Sequence, residues 1–200
     1  MAETRQISQI SGWRGRVATG IVDTAAEVLA ADRDASMTDI AVAAGVGRAT
    51  LYRYFLTREA LLREMATAAI DELGGRLAEA RLDDIPAREA FARVTRAVVT
   101  TGRKYMALDN LASEFIDAQA VERQITAPLE ALLRRGAADG TLRDDLPAPI
   151  LLAMLIGLLR SVTLSLRDDL GVEQASHGAT SLFLDGAAPR TRDKQELSHQ

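Results

Sequence analysis

The organisation of this chain is set by residues 37–55, which read Met37-Thr-Asp-Ile-Ala-Val-Ala-Ala-Gly-Val-Gly-Arg-Ala-Thr-Leu-Tyr-Arg-Tyr-Phe55. The pattern predicts two short helices, at 37–44 and 48–55, joined by a tight turn as in a helix-turn-helix. Gly45 stands in the turn, where the backbone needs a left-handed conformation that glycine adopts without strain. The apolar positions that are spaced to pack against the preceding helix are Ile40, Val46, Leu51 and Phe55.

Short polar signals mark where these helices begin. Ser36, followed three residues later by Asp39, resembles a capping box with Asp in place of the usual Glu. Gly47 can cap the helix at 48–55, and Thr57 can cap the next helix, which begins near Arg58. The caps give the two short helices defined starts.

The remainder of the sequence also reads as helix. Alanine and leucine dominate, only five prolines occur, and no alternating β-branched run of strand length is present. The predicted fold class is therefore all-α, with about nine helices and a bend or interruption at Pro128. The predicted ranges are 14–31, 37–44, 48–55, 58–81, 86–104, 107–118, 119–138, 148–168 and 172–185.

Residues 14–65 resemble the tetracycline-repressor (TetR) family of bacterial regulators. The family signature is similar to Ile-Ala-x-x-Ala-Gly-Val-x-x-x-Thr-Leu-Tyr-x-x-Phe, followed by a capped Lys/Arg-Glu-Ala-Leu helix. This chain carries Ile40-Ala41, Ala44-Gly45-Val46, Thr50-Leu51-Tyr52 and Phe55, and continues Thr57-Arg58-Glu59-Ala60-Leu61-Leu62. It departs at Gly47, where Ser or Thr commonly caps, at Ala49 (commonly Gly), at Tyr54 (commonly His) and at Leu56 (commonly Pro). The departures affect which DNA sequence is read more than whether DNA is read.

The resemblance implies an N-terminal three-helix, helix-turn-helix DNA-binding domain and a C-terminal helical bundle for ligand binding and dimerisation. The expected boundaries are a flexible extension at 1–13, the DNA-binding domain at 14–60, the ligand-binding and dimerisation domain at 61–185, and a disordered tail at 186–200. After about residue 65 the likeness lies in architecture rather than in a motif.

The helix at 48–55 is expected to enter the major groove with its N-terminus first. Arg48 has the donors to grip guanine O6 and N7, and Ala49 can meet a thymine methyl. The resemblance places Arg58, in the first turn of the next helix, on a phosphate. The candidate DNA-binding residues are Thr38, Arg48, Ala49, Thr50, Tyr52, Arg53, Tyr54 and Arg58.

The distribution of charge favours DNA binding although the net charge does not. The chain carries 24 basic and 28 acidic residues, a formal net charge of −4. Residues 1–60 hold seven of each, so all of the net negative charge lies after residue 60. Within residues 40–63, four arginines stand against Glu59 alone. Nearly every cation is a guanidinium, whose planar fork suits phosphates and guanine edges.

Two further sites are expected in the C-terminal part. A small-molecule effector would occupy an apolar pocket between helices, and its candidate lining residues are Met65, Phe91, Tyr105, Met106, Asn110, Leu111 and Phe115. A homodimer would pair the last two helices across a two-fold axis, and its candidate interface residues are Leu151, Leu155, Leu158, Leu159, Val162, Leu166, Leu182 and Phe183. Ordinary core packing is the alternative for the members of the pocket set.

Other classes of function find little support in the sequence. With no cysteine and only two histidines, neither a metal site nor a cofactor is expected. The paired aspartates lie at helix ends or in loops, so no enzyme activity is expected. The apolar run 150–159 is about half of a membrane span. We therefore predict a cytoplasmic bacterial regulator, a repressor that binds a pseudo-palindromic DNA operator as a dimer and is released by a small molecule. An effector-independent DNA-binding protein is the alternative, and a helical-bundle enzyme is a more distant one.

Overall fold

The computed structural model describes residues 2–105, 113–165 and 171–189. Within these ranges the chain forms eight α-helices of seven or more residues and no strand, which confirms the all-α prediction. The helices are α1 (Ala2–Ala31), α2 (Met37–Ala43), α3 (Arg48–Tyr54), α4 (Arg58–Glu79), α5 (Ala87–Lys104), α6 (Ala127–Ala138), α7 (Ala148–Ser165) and α8 (Val172–Gly186). Shorter segments are an α-helical turn at Ala118–Val121, 3₁₀ turns at Leu82–Asp84 and Ser113–Phe115, and a π-helix at Glu122–Thr126.

The chain folds into two compact units, and each is made of two separate stretches of sequence. The first unit comprises Met1–Glu72 and Thr101–Val121, and the second comprises Leu73–Thr100 and Glu122–Gln200. Helices α4 and α5 therefore each begin in one unit and end in the other. The predicted boundary at 60/61 falls inside the first unit, because the first half of α4 packs into the same core as α1, α2 and α3.

The core of the first unit follows the predicted apolar pattern. Helix α1 buries one face, with Ile21 and Leu29 at most 1% exposed. Helix α3 is only seven residues long and buries a single side chain, Leu51. Val46 is half-buried against the same cluster. The buried apolar side chains of this core include Ile21, Val22, Ala25, Ala26, Leu29, Ile40, Leu51, Phe55, Leu61, Leu62 and Met65.

The turn and the caps of the helix-turn-helix form as predicted. Gly45 has φ of +64°, in the left-handed region that glycine tolerates. Gly47 precedes α3 in an extended conformation and offers no side-chain cap. The Thr57 hydroxyl accepts a hydrogen bond from the amide of Ala60 at 3.1 Å, and so caps α4. The local sequence signals therefore define both ends of this motif.

The second unit packs α5, α6, α7 and α8 around its own core. Phe91 of α5 and Phe183 of α8 form an aromatic contact in this core, with ring centroids 5.4 Å apart. Gly140, at φ of +76°, follows α6 where the sequence predicts its end. The other buried side chains include Leu77, Val94, Val99, Leu129, Leu132, Leu133, Leu142, Leu151, Leu152, Leu155, Leu159, Ala179 and Leu184.

The predicted interruption near Pro128 takes the form of a π-helix. Pro128 is the second residue of α6, and the π-helix Glu122–Thr126 ends directly before α6 begins. Because proline has no backbone N–H and its ring crowds the carbonyl four residues earlier, the regular α-helical ladder cannot continue through it. The π-helix approaches α4 closely, since a Cβ on Gly74 would lie 2.9 Å from the Cβ of Gln124.

The structure corrects several predicted boundaries. Helix α1 begins at Ala2 rather than at residue 14, so the expected flexible extension at 1–13 is helical from residue 2. Helix α4 ends at Glu79 and is followed by Arg81 in a left-handed conformation. The predicted tail begins too early at 186, because Ala187 is buried and its carbonyl accepts a 2.7 Å hydrogen bond from the amide of Arg143. Residues 106–112, 166–170 and 190–200 lie outside the described residues.

Candidate nucleic-acid interface

Helix α3 presents most of the predicted DNA-binding side chains to solvent. Arg48, Ala49 and Arg53 are exposed, and the other candidates on the helix, Tyr52, Thr50 and Tyr54, are half-buried. The side opposite Arg48 and Ala49 is anchored by Leu51, which is fully buried. A short helix that is held on one side and polar on the other can enter the major groove without losing its packing.

Both arginines of α3 lie over tyrosine rings of the same helix. The Arg48 guanidinium carbon is 5.5 Å from the centre of the Tyr52 ring, and that of Arg53 is 5.6 Å from the Tyr54 ring. These are cation–π distances. Contact between a guanidinium and the face of a ring leaves its in-plane N–H donors available, and those donors would pair with a base edge or a phosphate.

The predicted capping box starts α2. The Ser36 amide donates to the Asp39 carboxylate at 2.8 Å, and the Asp39 amide donates to the Ser36 hydroxyl oxygen at 3.2 Å. Hydrogen bonds from the Ser36 side chain and then from its backbone lower the pKa of Asp39 below the ordinary value of 3.8. Thr38 is exposed in the first turn of α2, next to this cap.

The resemblance implies that Arg58 contacts a phosphate, but in the structure its side chain is hydrogen-bonded to protein backbone. Its Nη1 donates to the carbonyl of Ala35, and its Nη2 donates to the carbonyl of Arg33 at 2.6 Å. Both acceptors belong to the loop between α1 and α2. The guanidinium therefore contacts protein backbone at the position where a phosphate contact is expected.

The described candidate pocket residues lie in the cores of both units. Met65 and Tyr105 are buried in the first unit, where Phe115 packs against the same core under the Arg63 guanidinium, which lies 5.1 Å from its ring centre. Phe91 is 1% exposed and lies in the core of the second unit. Met106, Asn110 and Leu111 fall outside the described residues. The described members of the predicted set are therefore divided between the cores of the two units.

An ion cluster of Asp23, Glu72, Lys104 and Tyr105, here called the Lys104 cluster, was not predicted. Lys104 Nζ lies 2.8 Å from Glu72 Oε2 and 2.9 Å from Asp23 Oδ1. The Tyr105 hydroxyl donates to the same Glu72 oxygen at 3.4 Å. The four side chains line a cleft of about 390 Å³ in the first unit. Helices α1, α4 and α5 each contribute a charge, so no local sequence pattern could reveal the cluster.

The charges of the Lys104 cluster stabilise one another. Burial opposes the charge on Lys104, but the hydrogen bonds to Glu72 and Asp23 outweigh it and raise the pKa of Lys104 above its usual range. Burial also raises the pKa of Tyr105 above 10.0. Lys104 therefore remains charged throughout the physiological range of pH.

The predicted dimer residues fall into two groups. Leu151, Leu155, Leu159 and Phe183 are at most 6% exposed in the core of the second unit, so the prediction is wrong for these four. Leu158 and Val162 pack partly against the same core, Leu182 is exposed, and Leu166 lies outside the described residues. Helix α7 carries apolar residues both on the side that packs into the core and on the side that is exposed. The sequence pattern therefore could not tell the two sides apart.

The outer side of α7 is an apolar surface that the sequence reasoning missed. Ile150, Met154 and Leu164 are between 44% and 55% exposed. They flank the small exposed residues Ala153, Gly157 and Ser161, which recur every four positions. Among the described helices, α7 is also the one that is long and apolar enough to cross a membrane, by length and composition alone.

Comparison with known proteins identifies the first unit. Residues 21–65, from the buried part of α1 to the middle of α4, match the tetR family of bacterial regulatory proteins. Within this region the chain is therefore similar to the TetR family. The match contains the capping box, the turn at Gly45, all of α3 and Arg58. The matched helix-turn-helix thus consists of the residues that carry the exposed arginines.

A TetR-type relative also matches the chain by sequence. The HTH-type transcriptional repressor LfrR of Mycolicibacterium smegmatis is 38% identical over 92 residues, which are 46% of this chain and 49% of LfrR. The match thus spans about half the length of that relative.

Solved TetR-type structures share the fold. A crystal structure of LfrR from Mycobacterium smegmatis in complex with proflavine has a TM-score of 0.70 and 23% identity, covering 88% of this chain and 99% of that one. A structure of FadR from Bacillus subtilis in complex with stearoyl-CoA has a TM-score of 0.67 and 19% identity, covering 84% and 98% of the two chains. At these identities the likeness concerns the fold.

Proposed function

We propose that this protein is a cytoplasmic transcriptional repressor of the TetR family that binds a pseudo-palindromic operator through α3. The observation that carries the proposal is the exposed, arginine-bearing side of α3, held in place by Leu51 and flanked by the capped helices α2 and α4. Arg48 reads a guanine, while Ala49 and Tyr52 contact neighbouring bases or phosphates. The proposal involves no enzyme activity and no metal.

Selection of bound duplexes from a random DNA library by the purified full chain tests this function. The expected result is enrichment of one inverted repeat, whose half-sites are separated by about one helical turn, roughly 34 Å, or a multiple of it. Enrichment of no sequence at physiological salt would reject the proposal, because non-specific charge attraction alone selects nothing.

We propose that the outer side of α7 forms a homodimer interface with the exposed part of α8. Small residues at Ala153, Gly157 and Ser161 would let two copies of α7 approach closely, with Ile150, Met154 and Leu164 packing around them. Leu182, 64% exposed on α8, would add to the same apolar surface. A two-fold axis would make this surface self-complementary.

Sedimentation of a charged variant tests the interface. Met154→Glu should convert the dimer to monomers, because pairing would bury the carboxylate without a partner. Leu56→Glu, which alters a similarly exposed apolar side chain in the first unit, is the matched control and should leave the dimer intact. A wild-type chain that is monomeric and binds lipid vesicles would instead identify α7 as a membrane contact.

We further propose that a small-molecule effector releases the protein from DNA. Support comes from two structures of the same fold that hold ligands of different chemistry, proflavine and stearoyl-CoA. An effector must prefer a conformer whose two α3 helices no longer match the half-sites, since equal affinity for both conformers shifts nothing. Thermal-shift screening followed by gel-shift titration tests this, and a ligand that stabilises the protein without weakening operator binding would not be an inducer.

A further inference from the structure

We propose that Arg58 is a positioning residue that fixes the helix-turn-helix by holding the α1–α2 loop, and is not a phosphate contact. The inference rests on the proposed DNA-binding function. Arg58 reaches from the first turn of α4 to two carbonyls of the loop, those of Arg33 and Ala35. Both terminal nitrogens of the guanidinium donate to these carbonyls, so two of its five N–H donors hold the side chain against the protein backbone.

The α1–α2 loop also carries local hydrogen bonds of its own. The Asp34 amide donates to the Asp32 side chain at 3.0 Å, and the Ala35 amide donates to the Asp32 carbonyl at 3.2 Å. The carbonyls of Arg33 and Ala35 point out of this small turn toward α4. A planar guanidinium can satisfy both at once, whereas a lysine ammonium is a single point donor.

The position of the loop determines where α2 begins. Ala35 is 5% exposed and is followed immediately by Ser36, the cap of α2. Helix α2 in turn packs Ile40 into the core that also holds Leu51 of α3. Arg58 therefore links the start of α4 to the start of α2, and through the shared core to the orientation of α3.

The dependence of DNA binding on salt distinguishes positioning from direct contact. The variants are Arg58→Lys, which keeps the charge but loses the planar fork, and Arg58→Gln, which loses both. Arg63→Gln, the same charge change on an exposed residue of α4, is the matched control. The probe is the duplex selected by the wild-type chain, and circular dichroism confirms that each variant is folded at the temperature used.

If Arg58 positions the loop, both variants should weaken binding about tenfold or more, with Lys no better than Gln. The slope of log affinity against log salt should remain that of the Arg63→Gln control. If Arg58 contacts a phosphate, Lys should keep most of the affinity, and Gln should lower the magnitude of the slope by about 1.8 per dimer relative to the control. That second result, or unchanged affinity in both variants, would overturn the proposal.

Hydrogen exchange in the free protein provides a readout that does not depend on DNA. The amides of Ala35, Ser36 and Asp39 should exchange faster in both Arg58 variants and at the wild-type rate in Arg63→Gln. Unchanged exchange at these three amides would contradict the positioning role. If the wild-type chain selected no duplex, the proposed function would fail, while this measurement would still decide whether Arg58 holds the loop.

Discussion

At the residue scale, the capping box of α2 shows how two side chains define the start of a seven-residue helix. Ser36 and Asp39 each satisfy the other's backbone amide, which offsets part of the cost of starting so short a helix. Ser36→Ala should therefore destabilise the chain by about 1 kcal/mol, and Ser36→Gly by only a few tenths. Urea titration of the free energy of unfolding measures both, and equal costs would show that the hydroxyl is not acting as a cap.

The same cap predicts a dependence on pH. The folded-state pKa of Asp39 lies below its ordinary value of 3.8, so its carboxylate stabilises the fold above that pH and ceases to do so as the pH falls through the folded pKa. The difference in unfolding free energy between wild type and Asp39→Asn should be constant near neutral pH and shrink below about pH 4. A difference that grew on acidification would contradict this assignment.

The Lys104 cluster should lose its contribution to stability at alkaline pH, whereas the cap loses its contribution at acidic pH. Because the pKa of Lys104 is raised, the stability it contributes is complete below the ordinary lysine range and is lost only at strongly alkaline pH. Lys104→Met leaves Asp23 and Glu72 facing each other without their shared cation. The variant should lose about 1 kcal/mol at pH 7, since the pairs are partly exposed. Urea titration of wild type and variant tests this, and an unchanged free energy of unfolding would show that the cluster contributes no net stability.

At the element scale, two adjacent glycines in α4 should respond oppositely to alanine. Alanine favours a helix over glycine by about 1 kcal/mol, and nothing lies within 4 Å of a Cβ at Gly75, so Gly75→Ala should stabilise the chain. At Gly74 the new Cβ would meet the Cβ of Gln124 on the π-helix at 2.9 Å. Gly74→Ala should therefore destabilise by roughly 1–3 kcal/mol. Urea titrations compare the two, and stabilisation by both would mean that the π-helix can withdraw from α4.

Elements defined by neighbouring residues were predictable, and those defined by distant ones were not. The cap at Ser36, the turn at Gly45 and the break before α6 are local, so the sequence signals alone locate them. The two sides of α7 are both apolar, and only the packed structure separates Leu155, which is buried, from Met154, which is exposed.

Contacts between distant residues account for the remaining differences in the candidate site. The exposed positions of α3 could be predicted because Leu51 and Phe55 fix which side is inward. The Arg58 contact with the α1–α2 loop and the Lys104 cluster join residues far apart in sequence, and no spacing rule encodes them.

At the scale of the whole molecule, the net charge of −4 is unevenly distributed along the sequence. The first 60 residues are neutral and place three of their arginines on α3 and at the start of α4, while the excess of acidic residues lies beyond them. In the proposed function, this acidic part would limit non-specific attraction to DNA, so that affinity would depend on the contacts of α3. Such a protein can bind an operator tightly and still be released by a modest conformational preference.

The central claim is that α3 reads base sequence, and competition binding of Arg48→Ala tests it most directly. Wild type and variant are compared on the selected operator and on duplexes carrying each single base-pair change, symmetrically in both half-sites. The variant should lose roughly 1–3 kcal/mol per half-site and cease to discriminate at one base-pair position, while discrimination elsewhere is retained. An equal loss on every duplex would make Arg48 a phosphate contact, and an unchanged preference at every position would contradict sequence reading by α3.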